Sequence, residues 1–467
     1  METTDKFKNF SAKCNDFFLP GKVSFLLDAW CAGSSGKGKI ESFIIKNSNN
    51  CSGIITTNSA NASHIVVENG VEYLFKCLPS GSLYHERLEC VMIGPGASFE
   101  VETFFKEVKM CGIPLEKVFI HPKAMIINKI DIDFEKGLCD LDGNYFEIAG
   151  EGTIKHGSTC SGSGAVTAKK TIRHKTSIVA SDIPELARFI AVTEDIIMDG
   201  MKLGKSYLCQ IGQGFPLSLN HWRFKKNVTS RNVTVSAGLN DCMLPPSVVG
   251  NVLGNGRIYP IKIANYKQIS RVEAIDQYKV SDFTNSEHCI NIAKAKYRDN
   301  LFKCDFDESG ENVLVTSLPN VHVTADDLDI FPDYPYDKID SYSGDGYPDQ
   351  QEISWEYIEE TAGISIPNNI KRTSLTKLPR RCFTHSKIAF DEGIKYNMPP
   401  EGGEIWISLN FVNWIDSQME GITDFVSQEV KLWIEQNLGQ ALNANPKVKL
   451  RFLGTGAETD HTITLER

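Results

Sequence analysis

Residues 23–44 constrain the fold more than any other part of the chain. The apolar run Val23-Ser24-Phe25-Leu26-Leu27 leads into Cys31-Ala32-Gly33-Ser34-Ser35-Gly36-Lys37-Gly38-Lys39, and Ile40-Glu41-Ser42-Phe43-Ile44 follows. A strand, a turn rich in glycine and lysine, and a helix start bring backbone N–H groups and ammonium charges to one place, where a phosphate can sit. The turn departs from G-x-x-x-x-G-K-[ST], because Gly is missing at Cys31 and Ala32 and Gly38 stands where a hydroxyl would follow Lys37. Taken alone it reads equally well as a surface turn with solvated lysines.

Apolar runs of strand length alternate with amphipathic stretches such as residues 101–108. That alternation predicts an α/β fold, a large and mostly parallel central sheet flanked by helices. Residues 183–192 read as a helix with Asp182 as its N-cap. The chain has 467 residues, 41% of them hydrophobic, enough for one large domain or two ordinary ones. Its net charge of −10 argues against coating nucleic acid or an anionic membrane, either of which needs a basic face to replace counterions. No apolar run approaches the ~20 residues that span a bilayer, and no signal peptide is visible, so a cytoplasmic location is expected. The 13 cysteines are scattered without a C-x-x-C pair, which suits reduced thiols better than a disulfide framework or a zinc site.

Further along stand Asn58-Ser59-Ala60-Asn61-Ala62-Ser63-His64, Leu78-Pro79-Ser80-Gly81 and Ile93-Gly94-Pro95-Gly96. Together with the first loop they resemble adenylosuccinate synthetase, whose pattern runs G-D-E-G-K-G-K, N-N-A-G-H-T, I-P-S-G and I-G-N-G. The resemblance continues through Gly157-Ser158-Thr159 with Arg173, Gly212-Gln213-Gly214, Val228-Thr229-Ser230, Gly344-Asp345-Gly346, Arg380-Arg381-Cys382 and Gly454-Thr455-Gly456. It implies that family's fold, related to the P-loop NTPases, as a single catalytic domain over residues 20–467. Residues 266–341, with the acidic and aromatic run 326–337, look like an insertion within it.

The family joins L-aspartate to the 6-carbon of a purine 5′-monophosphate after phosphorylating the 6-oxygen. By resemblance, Lys37, with Gly33, Ser35, Gly36, Gly38 and Lys39, would hold the transferring phosphoryl group with Mg²⁺, and Gly454 and Gly456 would line the donor nucleotide. His64 would be the proton donor beside the 6-oxygen. Asn61, Thr159, Gln213 and Thr229 would bind the purine monophosphate, joined by Arg173 from a second subunit, which implies a homodimer. Thr376 and Arg380 would bind aspartate, and the Ser63 carbonyl would ligate the metal.

Three departures matter. Ser34 occupies the place of the family's aspartate, which is both general base at purine N1 and metal ligand; a hydroxyl does either task poorly. The same replacement resembles the phage-encoded branch of the family, which takes dGMP in place of IMP, since guanine's 2-amino group would crowd a carboxylate beside N1. Asn413 stands where the family's T-K-x-D aspartate reads guanine, and an amide can pair with adenine, so ATP or dATP is the expected donor. Leu378 replaces the first arginine of T-T-G-R-x-R, near the ribose 2′-hydroxyl, which suits a deoxyribonucleotide and opens the question of the amine. The expected function is therefore a ligase making N6-succino-2-amino-2′-deoxyadenylate from dGMP and L-aspartate. Its alternatives are an adenylosuccinate synthetase acting on IMP, the same chemistry with another amine, and a purine nucleotide binder without catalysis. If the chain is phage-encoded, its place is the host cytoplasm.

Overall fold

The apolar run that opens the argument is a strand, β1 (Val23–Asp28), buried at every position in the middle of a nine-stranded sheet. The computed structural model describes residues 14–146, 159–224, 227–263, 304–306, 313–315, 343–372 and 380–465. Across the sheet the order is Thr462–Thr464, Val448–Gly454, Ile405–Asn410, Val249–Arg257, β1, Tyr207–Gly214, β2 (Gly53–Thr56), Cys90–Ile93 and Val118–Ile120. The pairings are parallel except for the edge strand Thr462–Thr464, which is antiparallel.

Parallel neighbours need long crossovers, and α1 (Lys37–Asn47) supplies the one after β1. The amphipathic stretch from residue 101 is α2 (Val101–Cys111), which buries Phe104 and Val108. Alternate residues of β1 serve opposite faces of the sheet. Phe25 and Leu27 pack in one core with Ile55, Met92 and Ile407, and Leu26 packs in the other with Ile54, Val91 and Ile93. The mostly parallel, helix-flanked α/β sheet expected from the sequence is thus the architecture of the protein.

One local expectation fails. Residues 183–192 do not form an α-helix opened by Asp182; they contain a short 3-10 helix, Pro184–Phe189, with Ile183 at its N-cap. The Asp182 carboxylate instead accepts from the Val179 N–H at 2.9 Å, closing the preceding turn, and Ile190 leaves the helix to bridge Ile120 beside the sheet. Tertiary pairing overrides the local helical pattern there.

Within residues 266–341 the described part is a short antiparallel hairpin, Cys304–Phe306 with Val313–Val315. The acidic run 326–337 lies outside the described residues, as do Gly157, Ser158, Thr376 and Leu378. Among the described residues no helix is long and apolar enough to cross a membrane.

Candidate nucleotide site at the carboxyl ends of the central strands

In open parallel sheets, ligands bind beyond the carboxyl ends of the strands, and here those ends are aligned in register. Asp28 pairs with Asn255, Arg257 with Asn410, and Asn410 with Gly454. The first loop is wired into this row. Ser35 Oγ donates to the Asp28 carboxylate, Asn255 Nδ2 donates to Asp28 Oδ1 at 2.8 Å, and Asn410 Nδ2 donates to Asn255 Oδ1 at 2.7 Å. Gly36 sits at φ +85° as the N-cap of α1, with no side chain capping the helix, so the first-turn N–H groups face the loop. A Cβ on Gly36 would also come within 3.1 Å of the Asn410 side chain. Gly33, at φ +153°, and Ser34, at φ +50°, carry the chain across this turn.

Lys37, the first residue of α1, is buried. Its ammonium donates to the Ile211 carbonyl at 2.7 Å and the Gln213 carbonyl at 2.9 Å, and lies 3.4 Å from Asp28 Oδ2. Burial lowers its pKa, against the pull of the Asp28 charge. The next residue, Gly38, is required by close approach: a Cβ there would lie 2.9 Å from His64 Cβ and 3.1 Å from the Ile65 carbonyl. This places His64, the first residue of a strand spanning His64–Glu68, against the start of α1. His64 Nε2 is buried without a partner. Burial, with the Lys37 charge next, holds the imidazole well below the usual histidine range, so it is neutral near pH 7.

Three residues singled out for the purine monophosphate come together. Gln213 Nε2 donates to Asn61 Oδ1 at 2.8 Å, and Asn61 Nδ2 donates to Thr229 Oγ1 at 3.5 Å. Because the Gln213 carbonyl also receives Lys37, this cluster joins the first loop directly. The Asn61 N–H donates to Ser163 Oγ at 3.2 Å, which draws the segment after Thr159 to the same place; Thr159 Oγ1 itself lies 3.1 Å from Ser161 Oγ. Arg173, at φ +55°, is exposed beyond the helix Ser163–Thr171, apart from that cluster.

On the opposite side stand Asn413, Gly454, Gly456 and Lys39. Lys39 donates to the Gly456 carbonyl at 2.7 Å and to the His461 carbonyl, and burial lowers its pKa to about 7. Asn413 Nδ2 donates to Glu420 Oε2 at 2.5 Å, while Asn413 Oδ1 is buried without a partner. Gly456 keeps this corner open, since a Cβ there would lie 2.5 Å from His461 Nδ1 and 2.6 Å from Glu420 Oε1. Gly454 is needed for the same reason against Asn410 Oδ1, 2.2 Å from where its Cβ would be. Of the amino-acid loop, the described part is Arg380, whose Nη1 donates to the Ile370 carbonyl at 2.7 Å and whose pKa burial lowers to about 10.

Among the described residues no group of three or more His, Cys, Asp or Glu is placed to hold a metal. The one carboxylate in the first loop's network, Asp28, is taken up by Ser35, Asn255 and Lys37. A hydroxyl such as that of Ser34 and a carbonyl such as that of Ser63 are weaker ligands for Mg²⁺ than a carboxylate.

Several groups in the site are not apparent from the sequence: Asp28, Asn255, Asn410, Glu420, His461 and Arg257. Asp28 and Asn255 are register partners on adjacent strands, and Asn410, two residues beyond the partner of Asn255, reaches it through its side chain; linear spacing displays neither relation.

With this geometry in place, residues 30–183 match the family model described as adenylosuccinate synthetase. Over that stretch the chain is similar to the adenylosuccinate synthetase family, as the motifs of the first loop and of Asn58–His64 lead one to expect. It is 25% identical over 429 residues to the N6-succino-2-amino-2'-deoxyadenylate synthase of Acinetobacter phage SH-Ab 15497, covering 85% of this chain and 86% of that one. It is 27% identical over 233 residues to the adenylosuccinate synthetase of Archaeoglobus fulgidus, covering 50% of this chain and 64% of that one. Among solved structures, the fold is similar to that of a cyanophage S-2L succinoaminodeoxyadenylate synthetase bound to dGMP and dATP. The TM-score is 0.64 at 20% identity over 96% of both chains. The adenylosuccinate synthetase of Plasmodium falciparum gives a TM-score of 0.57 at 14% identity, over 96% of this chain and 100% of that one.

Proposed function

We propose that this adenylosuccinate synthetase relative is the dGMP-using ligase, which condenses L-aspartate with dGMP at the expense of ATP or dATP. The 6-oxygen of dGMP attacks the γ-phosphorus as N1 releases its proton to solvent water, and the nucleoside diphosphate leaves. The amine of aspartate then attacks C6, phosphate leaves, and the new nitrogen gives up a proton, yielding N6-succino-2-amino-2′-deoxyadenylate.

The observation that carries this reading is Ser34 at the turn where the family has its carboxylate. Asp28, the acidic group wired to the same loop, cannot stand in for it, because Ser35, Asn255 and Lys37 occupy it. The hydroxyl leaves room beside purine N1 for the 2-amino group of guanine, where a carboxylate would crowd it. The phage relative at 25% identity, named for that reaction, supports the same reading.

Each remaining residue has a physical task. Lys37 and the first-turn N–H groups of α1 spread the charge of the phosphoryl group. His64, held neutral, donates a hydrogen bond to the developing charge on the 6-oxygen; a triphosphate arriving beside Lys37 offsets the cation that depresses the imidazole and raises its affinity for a proton. Asn61, Gln213 and Thr229 fix the purine monophosphate. Bound Mg²⁺, held by phosphates with Ser34 and the Ser63 carbonyl, would add charge stabilisation at the phosphoryl group. Arg173 is exposed, as a residue serving a partner's site in a homodimer would be, and Arg380 is the remaining cation for aspartate.

The test offers dGMP and IMP in parallel with Mg²⁺, ATP and L-aspartate and identifies products by mass. A succinylated product from dGMP is expected. Product from IMP alone would return the protein to ordinary adenylate synthesis, and binding of dGMP without product from either would make it a non-catalytic binder.

A further inference from the structure

Arg257 ends the strand Val249–Arg257 and is 1% exposed. Its backbone clasps the start of the first loop. The Arg257 N–H donates to Cys31 Sγ at 3.3 Å, and its carbonyl accepts from Trp30 Nε1 at 3.4 Å. Its side chain reaches further along the same loop, with Nη1 donating to the Ser34 carbonyl at 2.8 Å. The guanidinium carbon lies 4.0 Å from the centre of the Phe411 ring and 4.6 Å from that of Trp414, the residues on either side of Val412 and Asn413. Nε and Nη2 have no partner, and burial lowers the pKa to about 10.

A buried cation is most readily stabilised by a carboxylate. This one is given a carbonyl and two aromatic faces instead, an arrangement that fixes position more than it neutralises charge. Two of its partners, Ser34 at φ +50° and Phe411 at φ +64°, are non-glycine residues in the left-handed region. Such backbone persists where surrounding contacts over-determine it, and the contact common to both is Arg257.

We propose that Arg257 is a positioning residue that fixes the Ser34 peptide and the donor-base turn at 411–414 against each other. Discrimination among purine monophosphates and binding of the donor nucleotide then depend on one guanidinium. The proposal rests on the reading of Ser34 as the residue that admits dGMP, which wild-type turnover of dGMP tests by itself.

Two variants separate the two contacts. Arg257→Lys keeps a charged donor for the Ser34 carbonyl and gives up the planar face over Phe411 and Trp414. It should raise KM for ATP about tenfold and leave the dGMP to IMP ratio of kcat/KM within about threefold of wild type. Arg257→Met keeps apolar bulk against the rings and loses the donor; it should lower the dGMP to IMP ratio about tenfold or more, with a smaller change in KM for ATP. A fall in kcat alone, with both quantities unmoved in both variants, overturns the proposal. Should either variant fail to fold, Phe411→Leu removes one ring face without touching the first loop. It should raise KM for ATP about as Arg257→Lys does and leave the dGMP to IMP ratio within about threefold of wild type, because the donor to the Ser34 carbonyl is kept; an unchanged KM for ATP overturns the proposal. Where wild type shows no turnover of dGMP, calorimetric affinities for dGMP, IMP and ATP replace the kinetic ratios with the same expectations, so failure of the dGMP reading stays distinct from failure of the role of Arg257.

Discussion

On the side proposed to hold the purine monophosphate, Gln213 donates to Asn61 and Asn61 to Thr229, whereas on the side proposed for the phosphoryl donor Asn413 Oδ1 and His461 Nδ1 are buried without protein partners. The first side is held together by its own side chains. The second holds groups with no protein partner, and a ligand that matches them gains about 0.5–1.5 kcal/mol for each hydrogen bond made. A cluster bonded within itself favours tight recognition of one shape, and unpartnered groups reward a ligand that presents the right donor or acceptor. His64, at the seam between α1 and the strand it opens, has the chemistry of the reacting centre: it is buried and neutral, and its Nε2 has no partner.

The strongest way to break this division is at the seam. His64→Ala should lower single-turnover formation of product by about 10²–10⁴-fold, the usual contribution of a positioned proton donor, while calorimetric affinity for dGMP stays near wild type because Asn61, Gln213 and Thr229 are untouched. Full turnover in that variant would move the chemistry elsewhere.

A smaller effect is expected on the donor side. Glu420 holds Asn413 Nδ2, so a flip of the amide would turn Oδ1 against a carboxylate. The amide is thereby fixed with its acceptor available to the 6-amino group of adenine, where guanine would present a 6-oxo lone pair. Glu420→Ala should reduce the preference for ATP over GTP about tenfold, as expected for loss of a hydrogen bond to a charged group, without changing KM for dGMP. A change in KM for dGMP with the ATP to GTP ratio intact would contradict the separation of the two sides.

The smallest expected effect is a dependence on pH. Burial lowers the Lys39 pKa from 10.5 to about 7 in the folded chain. Between those values the unfolded chain binds the proton that the folded chain does not, so the unliganded protein gains stability as pH rises from 7, by up to about 1.4 kcal/mol per unit from this residue. Denaturation midpoints of wild type and Lys39→Met should therefore diverge between pH 7 and 9, with the slope larger in wild type. Parallel slopes would mean that Lys39 keeps its proton without a nucleotide.

The sequence displays the strand, turn and helix from Val23 to Asn47 because each has its own local signal: an apolar run, glycines at positive φ, and an amphipathic continuation. The cluster of Asn61, Gln213 and Thr229 was legible only through resemblance, since its members are separated by more than 150 residues at the extreme. Asp28, Asn255 and Asn410 were hidden, because the first two meet through register between parallel strands and the third reaches them by its side chain from the next strand. Residues 183–192 misled, since a helical pattern over ten positions carries too little energy to resist the pairing of Ile190 with Ile120. Arg257 and Glu420 left no mark in the sequence, because an arginine in a strand and a glutamate after a turn are ordinary there, and their meaning lies in the atoms they face.

The most direct test of the account is the ratio of kcat/KM for dGMP to that for IMP in wild type and Ser34→Asp. If the hydroxyl makes room for the guanine 2-amino group, wild type favours dGMP and the aspartate variant loses that preference about tenfold or more, with some gain on IMP. A ratio unchanged by the substitution would show that Ser34 does not choose the purine.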